Sequence, residues 1–280
     1  MPIDRKRSRL TFQKLSRELA KLAKKPAPES VHKFRTYSRR VEALLSDVAI
    51  EQHRNDEKLL KLLARLRKKA GRVRDLDVQI AALRALKFPE GNGDKAHIME
   101  ALVEERADRE RKLAKAFDRE TADEIRKRLK RSARDMQIPD KAGLAVALRQ
   151  LARLGRDHSP LTEKTLHQYR ILGKRARYIA ELAADDPKAT RVVEQLKRMQ
   201  DVIGDWHDWL KLTQKAEDLL GSVRDSALVA MLRNVTQAKF RQSLDAVAEI
   251  RETLASHARP AESVRSRRPS ANEASQAAVA

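Results

Sequence analysis

The chain repeats itself. Val31-His32-Lys33-Phe34-Arg35, followed by Arg39-Arg40, returns 135 residues later as Leu166-His167-Gln168-Tyr169-Arg170, followed by Lys174-Arg175. The histidine, the arginine, the basic pair and the apolar and aromatic positions all align. A second block follows in the same order: Leu63, Leu66, Gly71 and Asp75 correspond, at an offset of 133, to Leu196, Met199, Gly204 and Asp208. Two linked matches separated by one short indel point to a duplicated unit. They restrict the fold to one that two copies of a supersecondary block can build around pseudo-two-fold symmetry.

The repeated unit reads as helical throughout, with no convincing run of period-two alternation. Leu10, Leu15, Leu19 and Leu22 form an apolar stripe on a first basic helix that Pro26 and Pro28 end. Ser30 is the expected N-cap of a long helix from Val31 to about His53, and a Leu-rich run covers about Asp56 to Ala70. Gly71 and Gly204 are expected to end helices, with Asp75 and Asp208 at the start of the helices that follow. Helical pattern stops before the Phe88–Gly93 loop and resumes in two stretches between about Lys95 and Met136. Past the Ile138-Pro139-Asp140 linker the plan recurs: Gly143–Leu154, Thr162–Ala184, Lys188–Ile203, Trp206–Leu220 and Val223–His257. The expected fold is all-α, with two pseudo-symmetric four-helix-type bundles at residues 1–137 and 141–257. Residues 258–280 turn to Ala, Ser, Pro and Arg without apolar periodicity and are expected to form a disordered tail.

A hydrophobic fraction of 41% allows a real core, while 36% charged residues and a formal charge of +21 require long solvated faces and favour an anionic partner. Aromatic residues make up 4%, which weakens any reading built on stacking unpaired bases. The absence of cysteine excludes disulfides, thiolate metal sites and cysteine catalysis. No apolar run approaches the ~20 residues that span a bilayer, and no signal peptide is apparent, so a cytoplasmic protein without membrane contact is expected.

The helical wheel divides each repeated helix into two faces. At about 100° per residue, His32, Arg35 and Arg39 share a stripe with Arg40 at its edge, while Phe34, Tyr37, Val41, Leu44 and Val48 lie opposite. His167, Arg170, Lys174 and Arg177 share a face in the second copy, with Arg175 completing its basic pair. Tyr169, Leu172, Ala176 and Ile179 lie across from them. The next helix of the first half adds Lys61, Arg65, Lys68 and Arg72 along one stripe. Its counterpart offers Arg198 beside Glu194 and Asp201, so the first half is the more basic here. A lone basic stripe is usually a solvated face, but a duplicated one with paired histidines and an excess net charge points to ligand binding. Rows of this kind suit a phosphate polymer, since Arg forks hold phosphate bidentately and Lys binds as a point charge. Neither His32 nor His167 has a histidine at i+3 or i+4, and no carboxylate aligns as a partner in both copies. They fit hydrogen-bond donors to phosphate better than metal ligands, and neither metal nor cofactor is expected. Trp206 and Trp209, found in one copy only, fit packing, and His53 an ordinary surface position.

His-x-x-Arg with a following basic pair, present twice, then a Leu-rich helix, a Gly and a nearby Asp, resembles the CHAD family of helical domains with characteristic histidines. The resemblance runs from about Val31 to the last helix. It implies two four-helix bundles about a basic surface or pore, binding of inorganic polyphosphate and association with polyphosphate granules. The residues it carries over are His32, Arg35, Arg39, Arg40, His167, Arg170, Lys174 and Arg175. Tyr37 and Ser38 depart from the small aliphatic residues usual before the basic pair, and Gly173 weakens the second motif helix locally. The Glu-x-Glu-x-Lys strand of the catalytic domain often fused to this family is absent, as are phosphate-binding Gly-rich loops, so no enzymatic activity is expected. Two rival functions use the same basic faces. One is non-specific, weaker nucleic-acid binding; the other is a granule scaffold that recruits proteins, aided by the tail arginines Arg265, Arg267 and Arg268.

Overall fold

The computed structural model describes residues 3–88, 93–139, 143–155, 160–183 and 187–258, without the side chains of 144, 153–155 and 253–258. Among these residues the chain is all-α, with no strand. The helices are α1 (Arg5–Lys24), α2 (Pro28–Ala43), α3 (Arg54–Ala85), α4 (Asp94–Ala116), α5 (Arg119–Asp135), α6 (Gly143–Gly155), α7 (Glu163–Ala180), α8 (Pro187–Leu220) and α9 (Ala227–Ala258). The duplicated blocks fall on α2–α3 and α7–α8. The tail from 259 lies outside the described residues.

Local chemistry sets most of the ends. Asp4 caps α1 by accepting from the Lys6 and Arg7 amides at 2.7 and 3.1 Å. Its apolar stripe is Phe12, Leu15, Leu19 and Leu22, all buried, whereas Leu10 is 37% exposed and stands outside it. Helix α2 begins earlier than Ser30. Pro28 occupies its first turn, where the missing N–H costs nothing and the fixed φ suits the helix, and Ala27 precedes it without a side-chain cap. The helix does not continue to His53: a π-helical turn over Leu44–Val48 closes it, with the Ala49 amide donating to the Leu44 carbonyl at 2.9 Å. His53 starts α3 as its N-cap residue, its amide donating to Asp56 at 3.0 Å. In the second half α7 stops at Ala180 and α9 starts at Ala227, both inside the bounds expected from periodicity. Gly221, at φ 81°, ends α8 in the left-handed conformation that glycine adopts most readily.

The clearest departure is that Gly71 and Gly204 end nothing. Each lies within an unbroken helix, α3 of 32 residues and α8 of 34, so Asp75 and Asp208 are mid-helix residues rather than caps. The cause at Gly71 is steric. A Cβ there would come within 2.5 Å of the Arg35 guanidinium, which lies against the bare helix backbone. Gly173 has a similar part on α7, since a Cβ would come 2.5 Å from the Met199 methyl of α8.

Burial joins the halves rather than separating them. The main core packs Phe34, Val41, Leu63 and Leu66 with Tyr169, Ala176, Ile179 and Met199. A second cluster joins Leu76, Ile80 and Leu83 of α3 and Ile98 and Leu102 of α4 to Leu212, Leu228, Val229 and Leu232 of α8 and α9. At roughly 1.5–3 kcal/mol per fully buried large aliphatic side chain, both clusters depend on both repeats. Trp206 packs on Phe240 with ring centroids 5.5 Å apart. Because α3 and α8 meet through this second cluster while α2 and α7 also touch, the repeated basic faces converge.

Candidate anion-binding site

A cleft of about 530 Å³ opens between the repeated helices. Arg35 and Arg39 enter it from α2, Arg170, Lys174 and Arg177 from α7, and Arg74 from α3. The α8 wall differs in character, presenting Lys197, Gln200, Asp201, Gly204, Asp205 and Asp208. A second cleft of about 350 Å³ shares Arg39, Arg170, Lys174 and Tyr178 with the first, so these four form the partition between the two. His32 lines the larger cleft and His167 the smaller.

The partition is electrostatically strained. Burial, then Arg170, Arg39 and Arg35, push the Lys174 ammonium down to about 7, opposed by Asp208. Burial also lowers Arg35, which Asp75 opposes from 3.7 Å, and Arg39. Buried nitrogens without hydrogen-bond partners remain on Arg35, Arg170 and Arg177. Both histidines sit below the usual imidazole range. For His32 the causes are burial and then Arg74, Arg35 and Lys174; for His167 they are burial and then Arg170, His207 and Lys174. Cations crowded among cations, with donors left over, would be relieved of their repulsion by an anion.

Not every basic residue expected at the site reaches a cleft as a free group. Arg40 donates to Glu181 at 2.6 Å and lies 5.5 and 5.6 Å from the rings of Tyr37 and Tyr178. Arg175 makes a two-pronged ion pair with Asp47. The second members of the two basic pairs therefore fasten each repeat to the other. Arg177 stacks 5.1 Å from Tyr178 and approaches Glu181 at 3.6 Å while still lining the larger cleft. Lys61, Arg65, Lys68 and Arg72 line neither cleft and stand exposed on the outer side of α3, and Arg198 is likewise exposed on α8. The residues that depart from the family pattern are both engaged: Ser38 accepts from Arg67 at 3.2 Å, and Tyr37 is flanked by Arg40 and Lys14.

Arg74, Lys197, Gln200, Tyr178 and Arg67 are wall residues that the sequence reading did not select. One signal was available for two of them. Arg67 and Gln200 occupy matching positions at the offset of 133, one turn before Gly71 and Gly204. Among the described residues no three His, Asp or Glu side chains converge as a ready metal site. No described helix is long and apolar enough to cross a membrane.

Comparison with known proteins identifies the family and the fold. Residues 8–216 match the CHAD domain family. The fold is similar to the crystal structure of the CHAD domain from the plant Ricinus communis, at 19% identity and a TM-score of 0.66, over 90% of this chain and 89% of that one. It is also similar to PptA from Streptomyces chartreusis, at 16% identity and a TM-score of 0.66, over 91% of this chain and the whole of that one. A search of curated protein sequences gives no match.

Proposed function

The chain belongs to the CHAD family, and from that premise we propose that it binds inorganic polyphosphate, without catalysis, in the cleft between its repeats. The observation that carries the reading is the meeting of Arg39, Arg170 and Lys174 at the partition of two clefts, with Arg35 beside them in the larger one, where burial and mutual repulsion lower Lys174, Arg35 and Arg39. A polymer with one charge or more per phosphate and no bases to read satisfies such a site directly. The paired histidines, one on each cleft, add donors at either side of the partition. The exposed row Lys61, Arg65, Lys68 and Arg72 would hold further phosphates of a long chain outside the cleft. Association with cytoplasmic polyphosphate granules follows from the same reading.

The test is a titration of labelled long-chain polyphosphate in competition with duplex DNA and RNA at several salt concentrations. The wild type is compared with Arg35→Gln/Arg39→Gln/Arg170→Gln/Lys174→Gln. Preference for polyphosphate at physiological salt, lost in the variant, is the expected result. Equal competition by nucleic acid would replace this reading with a general polyanion binder, and an unaffected variant would move the site. Release of orthophosphate from polyphosphate by the purified protein with Mg²⁺ would overturn the non-catalytic assignment.

A further inference from the structure

The α8 wall of the larger cleft carries three carboxylates beside Lys197, an excess of the wrong sign for an anion. Asp201, Asp205 and Asp208 face a space whose other walls set Arg35, Arg39, Arg74, Arg170, Lys174 and Arg177 against the one carboxylate of Asp75. Comparison of the repeats sharpens the point. Lys68 of α3 corresponds to Asp201 of α8, and Arg72 to Asp205, so the second copy reverses the charge at two successive turns. Asp205 is paired with Lys239 at 2.8 Å and Asp208 has His207 at 3.6 Å, whereas Asp201 has no ion pair among the described residues.

Gln200 supplies an independent observation. It lies one residue before Asp201, lines the same cleft and is only 4% exposed, yet neither its amide oxygen nor its amide nitrogen has a hydrogen-bond partner. A buried primary amide with neither end bonded to protein is left for a water or a ligand to satisfy. Its carbonyl oxygen is a hard neutral ligand, and its NH₂ is a donor to a phosphate oxygen.

Resting on the polyphosphate reading, we infer that this cleft takes its polymer together with a divalent cation of the magnesium class. The cation bridges non-bridging phosphate oxygens to the Asp201 and Asp205 carboxylates, with Gln200 as the neutral group beside them. Magnesium is commonly held by one or two protein carboxylates, phosphate oxygens and retained waters rather than by an all-protein cage. The basic walls hold the polymer directly, while the α8 wall holds it through the ion. No bond is made or broken.

The experiment is calorimetric titration of long-chain polyphosphate into the full chain, in Mg²⁺ and in EDTA at matched ionic strength, for the wild type and Asp201→Asn/Asp205→Asn. Both replaced side chains are exposed, and thermal melts verify folding. In the wild type Mg²⁺ is expected to tighten binding several-fold. The variant should bind more tightly than the wild type in EDTA, because the repulsion is gone, and Mg²⁺ should then weaken it by competing for phosphate. Weakening of both proteins by Mg²⁺ to the same extent, or tightening retained in the variant, would overturn the bridge and leave the polyphosphate reading intact. No binding by either protein in either buffer would overturn both.

Discussion

Lys174 holds a proton loosely because it is buried and because Arg170, Arg39 and Arg35 around it are cationic. The unfolded chain keeps that proton up to about pH 10.4, while the folded one releases it near 7. Between those values the unfolded state binds more protons, so this group makes stability rise with pH, and the repulsion is fully present below 7. On the polyphosphate reading, an arriving phosphate would reverse the preference and recharge the ammonium. At pH 8 binding of polyphosphate should therefore take up protons, measured by titrations in buffers of different ionisation enthalpy, and Lys174→Arg should bind while losing most of that uptake. A second residue-scale prediction concerns Gly71. In Gly71→Ala the new methyl displaces the Arg35 guanidinium, a flexible side-chain end, so affinity should fall roughly tenfold (about 1.4 kcal/mol) while the melting temperature changes little. Arg35 with Arg39, and Arg170 with Lys174, were legible as cleft-facing pairs because helical periodicity puts each pair on one stripe of its own helix. Arg74, Lys197 and Gln200 were not, since their place depends on how α3 and α8 are turned toward α2 and α7. The engagement of Arg40 and Arg175 was hidden for a simpler reason: their acidic partners lie 141 and 128 residues away.

Glycine costs an interior helical position about 1 kcal/mol against alanine, and on that ground the sequence predicts a break in α3 at Gly71 and in α8 at Gly204. Flanking burial outweighs that cost. Leu66, Ala70 and Val73 beside Gly71, and Met199, Ile203 and Trp206 beside Gly204, are all buried. Continuity of α3 matters for the ligand because one rigid rod carries two basic surfaces. Arg74 faces the cleft, whereas Lys61, Arg65, Lys68 and Arg72 stand outside it. Replacing those four outer residues by Gln should reduce the slope of log affinity against log salt for long polyphosphate, because fewer phosphates are neutralised. Binding of a short oligophosphate that fits the cleft should change little. An equal loss for short and long chains would assign the outer row to the same site as the cleft.

Across the whole molecule, the duplication was plain in the sequence but the sharing of its cores was not. Periodicity identifies which face of a helix is apolar, not which copy covers it, and here Leu63 and Met199, or Leu76 and Leu228, belong to common clusters. The two cross-repeat ion pairs add to this union unequally. Asp47 is 7% exposed, so Arg175→Met leaves a buried carboxylate unpaired and should lower the unfolding free energy by about 1–3 kcal/mol in urea titrations. Arg40→Met should cost less, because Glu181 is more exposed and keeps Arg177 nearby. Both substitutions act on the seam along which the cleft is formed. The cluster at Arg35, Arg39, Arg170 and Lys174 also bears on how long such a protein would last in a cell. On the polyphosphate reading, the polymer relieves repulsion that the empty fold must carry, and a ligand that binds the native state alone deepens its free-energy well. Abundance would then follow supply: as polymer is drawn down, the emptied molecules are the ones that open more often and meet proteases first, and the binder is cleared along with its cargo.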